Sequence, residues 1–383
     1  MTGGGSGGHI IPLLSLARAL KSRDPSCQVV YIGWRGDRAG DASRIADYFD
    51  QTYYISAGKF RRYHGESFLS HFLDVKTLLL NARDFFRVIA GIFSALRLLK
   101  KLRPSVVFSK GSFVAVPVGL AAHARGIPII THDSDTVPGL ANRIIGRWAS
   151  VRALGQPLDH YKDLPPASAF TGIPIDESLK PVSEKAQQEL KRSLGLPARS
   201  QLLLIVGGGL GSESVNKQAL AAIPKLLSNY PNLYVTHITG VAHQDKVRAL
   251  YELDPADSSR LSVMGFTNDY KSHAGAADLV VSRAGATALA ELAILRKPVI
   301  LIPAPHLADG HQMTNAKQLD KAGAVRLVSD DASGEQFYLA ISGLLDNAKQ
   351  RGELASALAT RAVPDAASGL AKLILQAAGQ AKH

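Results

Sequence analysis

The sequence predicts an α/β protein built from two similar domains, each with a parallel sheet. Short apolar strands alternate with helical patterns along the chain, and two glycine-rich loops each precede a helix. The 383 residues are enough for two domains of ordinary size. We expect domains at residues 1–165 and 166–355 that face one cleft, with a final helix at 356–383 that folds back onto the first domain.

Composition narrows the class of protein. The hydrophobic content of 46% and the charged content of 20% are typical of a globular chain. The single cysteine, Cys27, excludes an internal disulfide framework and favours a reducing compartment. There is no secretory signal and no apolar run long enough to cross a bilayer, so we expect a cytosolic protein.

The net charge of +12 is unevenly placed, because ten of these charges fall within residues 1–175. A basic half of this kind indicates an anionic partner. Nucleic acid, a phosphorylated substrate, an anionic membrane surface and simple solubility all remain compatible with it.

The first candidate site opens the chain, where five of the six residues from Gly3 to Gly8 are glycine. Such a loop lets backbone amides approach a ligand, and free amides at a helix start favour an anionic group. His9 stands where the loop becomes a helix, so it either transfers a proton near neutral pH or merely caps the helix. Only two residues precede the glycines, so either the start lies too far downstream or the usual first central strand is missing.

A basic, aromatic cluster follows the strand predicted at 53–55. It contains Lys59, Arg61 and Arg62, whose charges either clamp a phosphate or form a solvated loop. Residues 68–102 then predict one or two amphipathic helices with mainly positive flanking charge. Core packing explains most of the apolar residues there, and contact of part of the stretch with a membrane interface is the other reading, which the positive flanking charge favours.

Polar residues also follow the strand predicted at 127–131. His132 and Asp135 stand past its carboxyl end, where ligands bind in open α/β sheets. Capping and loop hydrogen bonds are the alternative reading. Several prolines and little periodicity over 157–174 predict a linker between the two halves.

The second glycine loop, GGGLGS at 207–212, follows a buried strand and precedes a helix, as expected of amides that hold phosphate oxygens. A later strand at 277–282 leads into a helix that carries Glu291. A carboxylate there accepts hydrogen bonds from both hydroxyls of a ribose, or else compensates the helix dipole. His311, Gln312 and Asn315 begin another helix and suit sugar hydroxyls and amides. No metal-ligand spacing occurs in this segment.

Seven segments, in order from Thr2 to about Val328, resemble the MurG-type UDP-N-acetylglucosamine:N-acetylmuramyl-(pentapeptide) pyrophosphoryl-undecaprenol N-acetylglucosamine transferase family of peptidoglycan synthesis. The KFRRY and HDSD forms are similar to those of Gram-positive members. The segments are GGGSGGHIIP, KFRRY, SKGSFVAVPV, HDSDTVPGLANR, GGGLGS, SRAGATALAE and PAPHLADGHQMTNA.

The resemblance implies a GT-B fold, with two Rossmann-like domains around a deep cleft. It implies inverting transfer of GlcNAc from UDP-GlcNAc to the 4-hydroxyl of the MurNAc unit of lipid I, which forms lipid II. The enzyme would lie peripherally at the cytoplasmic face of the cell membrane, on an anionic surface, and would bind no nucleic acid. No cofactor or bound metal is strictly required, because amides and helix dipoles stabilise the leaving group.

The resemblance also implies residue roles. His9 is the general base. The backbone near Phe266 and Thr267 reads the uracil, Glu291 holds the ribose, and Gln312 and Asn315 hold the GlcNAc hydroxyls. The donor site comprises Gly209, Leu210, Gly211, Ser212, Phe266, Thr267, Ala286, Thr287, Glu291, His311, Gln312 and Asn315. The acceptor site comprises Ser6, Gly7, Gly8, Lys59, Arg61, Arg62 and Asp135.

Two further departures from the family pattern affect donor binding. Asp176 stands where the family has an arginine, and an acid there would repel the donor diphosphate. Gly209 and Leu210 replace a serine and a glutamine, with the loss of two side-chain contacts. The alternatives are a GT-B transferase for another lipid, such as diacylglycerol, and a non-catalytic lipid-binding homologue. Nucleic-acid binding is a weaker third reading, since no recognisable module is present.

Overall fold

The computed structural model describes residues 1–4, 7–35, 45, 47–59, 75–161, 164, 167–304 and 311–380. Contacts divide the chain into two compact units. The first unit comprises Met1–Glu177 and Asp365–His383, and the second comprises Ser178–Pro364. Each unit has one parallel sheet with helices packed against it.

The first unit contains six named strands, all with parallel neighbours. They form a pair, β1-β2, and a group of four, β3-β4-β5-β6. Their bounds are β1 Val30–Trp34, β2 Gln51–Ile55, β3 Val107–Ser109, β4 Ile129–Asp133, β5 Val151–Leu154 and β6 Ser168–Phe170.

Thr2 joins these two groups into one sheet. It forms parallel bridges to Ile32 on one side and Ser109 on the other. Its amide donates to Phe108 O at 2.9 Å, and its Oγ1 donates to Ile32 O at 3.0 Å. The expectation that the first central strand is missing is therefore wrong. A strand needs only a few paired groups to bridge its neighbours, and Thr2 with its flanking residues provides them.

The helices of the first unit surround this sheet, and buried side chains of α1 and of the C-terminal helix share one apolar cluster with strand residues. The long α2 is one continuous helix within the stretch predicted to be amphipathic. The bounds are α1 Gly7–Arg23, α2 Val75–Leu102, α3 Ala115–His123, α4 Leu140–Ile145 and, at the end of the chain, α14 Ala366–Gln380.

The second unit has a six-stranded parallel sheet in the order β12-β11-β10-β7-β8-β9. The two central strands, β7 and β10, are mostly apolar, and their residues 202–205 and 279–282 are buried, as expected for a sheet covered on both faces. The strands are β7 Gln201–Val206, β8 Leu233–Ile238, β9 Leu261–Met264, β10 Leu279–Ser282, β11 Val299–Leu301 and β12 Arg326–Leu327.

Nine described helices belong to this unit. Ser212 caps α6, and a Ser333–Gln336 capping box begins α12. The bounds are α5 Glu184–Ser193, α6 Glu213–Asn229, α7 Gln244–Leu250, α8 Pro255–Ser258, α9 Tyr270–Ala276, α10 Ala286–Leu295, α11 His311–Lys321, α12 Gly334–Leu345 and α13 Ala348–Ala359.

Each sheet has a topological switch point, where the strand order reverses. In the first unit it lies between Thr2 and β3, and in the second it lies between β7 and β10. Ligands of open α/β sheets bind outside the carboxyl ends of the strands at such a point. The two glycine loops follow Thr2 and β7, so both begin at a switch point.

Some predicted boundaries differ from the structure. Strand β6 belongs to the first sheet, although the sequence predicted a linker over 157–174 and a domain boundary after residue 165. A three-residue edge strand next to several prolines gives too little alternation to be recognised. Among the described residues, no helix is long and apolar enough to cross a membrane.

Candidate active site

His9 lies in the first turn of α1, beside the switch point of the first sheet. Its Nδ1 is 3.2 Å from the carbonyl oxygen of Lys110, which follows β3. Burial and then the nearby Lys110 charge lower the pKa of His9 to about 4, against the opposing effect of the carbonyl contact. The ring is therefore neutral at neutral pH. With Nδ1–H donating to the carbonyl, Nε2 is left as the basic nitrogen.

Lys110 is a buried cation behind His9, with only 4% of its surface exposed. Its Nζ donates to Ser134 Oγ at 2.8 Å. Burial lowers the pKa of Lys110, while the carboxylates of Asp133 and Asp135 act in the opposite direction. The chain turns sharply after this residue, since Gly111 has a φ of +94°. The turn leaves the Lys110 carbonyl at the edge where His9 can reach it.

Asn142 organises the polar end of β4. Its Nδ2 donates to His132 O and to Asp133 Oδ1, each at 2.9 Å, and its Oδ1 accepts from Ser109 Oγ at 3.2 Å. Burial raises the pKa of Asp133, although the hydrogen bond from Asn142 opposes this. Asp133 Oδ2 is buried without a hydrogen-bond partner in the described part of the chain. The carboxyl group is thus partly desolvated and held in place.

His132, which the sequence offered as a ligand or capping residue, is a core side chain. It is fully buried, and its Nε2 lies 2.8 Å from Gly172 O. Burial and Lys110 lower its pKa to about 3, so it is neutral. Asp135 follows β4, and its carbonyl oxygen accepts from Tyr161 Oη at 3.4 Å.

The other predicted acceptor residues are only partly described. Gly7 and Gly8 begin α1, and Lys59 is exposed four residues after β2. Ser6, Arg61 and Arg62 lie outside the described residues. Asp176, the acid that replaces an arginine of the family, forms an ion pair with Arg18 at 3.5 Å within the first unit.

The second glycine loop is shaped by two glycines. Gly208 and Gly211 have φ values of +90° and +82°, which side chains with a Cβ rarely adopt. A Cβ on Gly211 would also overlap the carbonyl of Thr239. Ser212 Oγ then accepts from Val215 N at 3.4 Å and begins α6. The loop thus leads directly into a helix start, an arrangement that suits anions in other α/β proteins, although the amide of Gly211 donates to Gly208 O at 3.0 Å.

Leu210, at the tip of this loop, is 77% exposed. Phe266, another predicted donor residue, is 44% exposed and follows β9. Beside it, Thr267 Oγ1 accepts from the amide of Asp269 at 3.0 Å, which fixes the turn into α9. These positions lie at the carboxyl edge of the sheet.

Glu291 lies on α10, the helix that follows the switch-point strand β10. Its charge raises the pKa of Tyr270, for which burial is the larger cause. Tyr270 Oη is buried with no hydrogen-bond partner among the described residues. Ala286 and Thr287 form the first turn of α10, where Gly285 provides no side-chain cap. The first amides of this helix are thus left without a side-chain cap.

The last donor segment begins α11. His311 and Gln312 are its first two residues, and only their backbone is described. Asn315 is 7% exposed, on the same helix. The described residues contain no group of three or more His, Cys, Asp or Glu side chains that could hold a metal ion.

Sequence reasoning left several polar residues of these edges without a role. Lys110 and Arg283 each directly follow a buried strand beside a switch point. That position is the sequence feature that could have identified both as candidate site residues. Asn142 and Asp330 carried no comparable signal, because their bonds join segments that are distant in the chain.

The chain matches known families over most of its length. Residues 1–152 match the glycosyltransferase family 28 N-terminal domain, and residues 202–370 match the glycosyltransferase family 28 C-terminal domain. A UDP-N-acetylglucosamine–N-acetylmuramyl-(pentapeptide) pyrophosphoryl-undecaprenol N-acetylglucosamine transferase from Symbiobacterium thermophilum is 32% identical, and the alignment covers 100% of this chain and 97% of that protein. The enzyme of the same name from Geobacillus kaustophilus is 34% identical, with 91% and 90% covered.

Solved structures agree with this relationship. The crystal structure of Acinetobacter baumannii MurG superposes with a TM-score of 0.73 at 26% identity, covering 98% of each chain. A UDP-GlcNAc 2-epimerase from Neisseria meningitidis, at 13% identity and a TM-score of 0.66 over 96% of each chain, shares the fold alone. The predicted two-domain α/β class with parallel sheets is thus confirmed. The chain belongs to glycosyltransferase family 28 and, within it, to the MurG-type N-acetylglucosamine transferases.

Proposed function

We propose that the protein transfers GlcNAc from UDP-GlcNAc to the 4-hydroxyl of the MurNAc unit of lipid I and so forms lipid II. The observation that carries this proposal is His9. Its ring is neutral, and the Lys110 carbonyl 3.2 Å from Nδ1 leaves Nε2 as a base at the switch point of the first sheet. The family relationship supplies the two substrates.

The reaction needs one proton transfer and one displacement. The oxygen of the acceptor 4-hydroxyl attacks C1 of GlcNAc and forms the new glycosidic bond, while the bond between C1 and the phosphate oxygen breaks. His9 Nε2 takes the hydroxyl proton, and UDP leaves with the electron pair. Attack opposite the leaving group inverts C1 and gives a β-1,4 linkage.

The donor side supplies charge stabilisation. The 207–212 loop and the start of α6 face the diphosphate, with Gly209, Leu210, Gly211 and Ser212 as its neighbours. The amides of Gly207 and Gly211 donate within the protein, so the other amides of the loop are the ones that bind the phosphates. Phe266 and Thr267 read the uracil, and Glu291 accepts from the ribose hydroxyls. The α10 start at Ala286 and Thr287 and the α11 residues His311, Gln312 and Asn315 complete the site. On this proposal, backbone amides and helix starts stabilise the negative charge of the departing UDP, so no bound metal is required.

Helix α2 gives the enzyme a surface for the membrane on which its acceptor resides. Phe85, Phe86 and Phe93 are 52%, 69% and 59% exposed, which is unusual for side chains of this size. Arg87 lies on the same helix, and Lys100 and Lys101 lie in its last turn. Exposed aromatic rings with flanking cations favour peripheral binding to an anionic bilayer, at its cytoplasmic face.

Transfer of radiolabelled GlcNAc from UDP-GlcNAc to a lipid I analogue tests the proposal, with UDP-glucose as the competing donor. We expect product from UDP-GlcNAc in preference to UDP-glucose. The His9→Ala variant is expected to lose about 10²–10⁴-fold in kcat, because it lacks the general base, while UDP binding persists.

The matched control is His123→Ala, which removes an exposed histidine stacked on Trp148 at the end of α3. Its activity should equal that of the wild type. Near-normal turnover of His9→Ala would remove His9 from the role of base. The absence of any lipid I product from the wild type would favour a different lipid acceptor or a non-catalytic role.

A further inference from the structure

Asp330 joins three segments of the second unit through its side chain. Its Oδ1 forms an ion pair with Arg283 Nη1 and accepts from Ser214 Oγ at 2.6 Å. Arg283 Nη1 also lies 3.5 Å from Ser214 Oγ, and Ser214 Oγ lies 3.0 Å from Ser212 Oγ. One carboxylate therefore connects the residue after β10, the first turn of α6 and the segment after β12.

The backbone that carries this carboxylate is itself fixed. Gln218, on α6, donates from Nε2 to the carbonyl oxygens of Ser329 and Asp330, each at 3.0 Å. The side chains of Arg283 and Asp330 are only 14% and 23% exposed. A partly buried ion pair with this support is held in one geometry, unlike a pair of exposed side chains.

The cluster lies at the switch point of the second sheet. Arg283 directly follows β10, and the glycine loop directly follows the neighbouring strand β7. The guanidinium carries five N–H donors in a rigid fork, of which Asp330 and Ser214 engage Nη1. The other nitrogens make no hydrogen bond to a described residue, and Ser214 and Ser212 link the guanidinium to the loop. A fork of this kind matches the oxygens of phosphate groups.

We propose that Asp330 is a positioning residue that holds the Arg283 guanidinium in the orientation that binds the donor diphosphate. This role rests on the proposed function, because it needs a nucleoside diphosphate at the 207–212 loop. Asp330 does not touch the ligand on this proposal. It acts through Arg283, whose guanidinium it holds together with Ser214.

Charge alone predicts that the loss of the Asp330 carboxylate would increase the affinity for a phosphate ligand. Removing a carboxylate near a phosphate site should strengthen anion binding, because a like charge disappears. If Asp330 positions Arg283, its removal should weaken the binding of the diphosphate despite that gain. The sign of the change in affinity thus separates the two cases.

Calorimetric titration of the full-length protein with UDP and with uridine provides the test. For Asp330→Asn we expect UDP affinity to fall at least ~10-fold, or about 1.4 kcal/mol, with uridine affinity unchanged. The matched control is Asp331→Asn, which makes the same change of charge one residue along, at an exposed carboxylate that accepts from Ser329 Oγ. It should leave both affinities unchanged.

Two further variants keep the result interpretable. Ser214→Ala removes the contacts of Ser214 Oγ with Asp330, Ser212 and Arg283 but keeps the ion pair, so its loss of UDP affinity should be smaller. In an Arg283→Ala background, Asp330→Asn should have no further effect on UDP binding, because the group it positions is gone. Tighter or unchanged UDP binding by Asp330→Asn, or an equal loss for uridine, would overturn the role. A wild-type protein that binds no UDP would instead overturn the proposed function.

Discussion

At the scale of single residues, the chemistry of His9 is set by a neighbour that is distant in sequence. The Lys110 carbonyl fixes the ring nitrogen that carries the proton, and the Lys110 ammonium helps to keep the ring neutral. The ammonium is itself balanced by Asp133 and Asp135, which favour its charged form. The protonation state of the His9 ring therefore depends on residues at the ends of β3 and β4 as well as on the burial of the ring in its own helix.

Replacement of Lys110 tests this account. In Lys110→Met the pKa of His9 should rise above about 4, because a nearby positive charge is lost, but it should stay below 6.5, because burial remains the larger cause. Titration by NMR of protein labelled on the histidine ring, with His9→Gln to assign the signal, measures the value. Lys100→Met, at an exposed lysine of α2, is the control and should leave it unchanged. An unaltered His9 pKa in Lys110→Met would contradict the account.

The sequence alone indicates candidate residues that lie inside a recognisable motif. It does not indicate the residues that hold those side chains in place. His9 and the 207–212 loop could be predicted, since glycine runs at a helix start have few other uses. Asp330 could not be predicted, because its meaning comes from Arg283, 47 residues away in the chain. Asp176 shows the same limit, since its ion pair with Arg18 joins residues that are far apart in the sequence.

At the scale of elements, the conformation of the 207–212 loop requires glycine at Gly211 but not at Gly209. Gly211→Ala should lower the free energy of unfolding by at least about 1–2 kcal/mol, because its φ of +82° disfavours a Cβ that would also overlap Thr239 O. A Cβ at Gly209 would have no neighbour within 4 Å, so Gly209→Ala should change the free energy of unfolding by less than about 0.5 kcal/mol. Urea denaturation of the two variants measures both values. Equal stability of the two would show that the loop is not strained at Gly211.

The strands predicted at 53–55, 127–131 and 277–282 correspond to β2, β4 and β10, with every boundary within two residues, since buried parallel strands are short apolar runs between loops. Some other strands, including β5, were not predicted. Thr2 acts as a central strand with one bridge on each side, and no apolar run marks it. The edge strands β6 and β12 have three and two residues, too few for any period to be seen. These strands are defined by hydrogen bonds to strands that are distant in the sequence, so no local sequence pattern identifies them.

At the scale of the whole molecule, the chain enters the second unit and returns to the first with α14. Leu370 on this helix is fully buried in the cluster that contains Leu13 and Leu16 of α1. Arg23, the last residue of α1, donates to Ser368 Oγ from both Nε and Nη2, at 2.9 and 2.6 Å. The helix that carries His9 is thus stabilised by the end of the chain.

Truncation of one α14 side chain should reveal this dependence. Leu370→Ala is expected to cost about 2–5 kcal/mol through the cavity it leaves. Hydrogen exchange should become faster for amides of α1 and remain unchanged for those of β7, which belongs to the other unit. Lys372→Ala, at an exposed position of the same helix, is the control. Equal acceleration in both units would contradict a local effect.

Acid should destabilise the molecule through its buried histidines. The pKa values of His9, His132 and His237 fall from 6.5 to about 4, 3 and 4, with burial as the main cause. Between these values and 6.5 the unfolded chain binds more protons than the folded one, so stability is lost as the pH falls through this window. The raised pKa of Asp133 acts in the opposite direction.

Urea denaturation at pH 6.5 and pH 5 measures the effect. We expect a loss of roughly 1.5 kcal/mol for each of the fully buried residues His132 and His237. The His237→Asn variant should show a smaller difference between the two pH values than the wild type. A wild-type stability that does not change between them would contradict neutral histidines in the core.

The two switch points have a consequence for how such an enzyme can change. Each unit has its own sheet, its own glycine loop and its own basic residue after the strand across the switch, Lys110 in one and Arg283 in the other. On the proposed function, the second unit binds the sugar nucleotide and the first binds the lipid, so the two sets of determinants would be separately heritable. Exchange of residues 178–364 as a cassette between relatives would alter the choice of sugar and preserve the choice of acceptor. The architecture allows new glycolipids to arise by recombination, without redesign of either half.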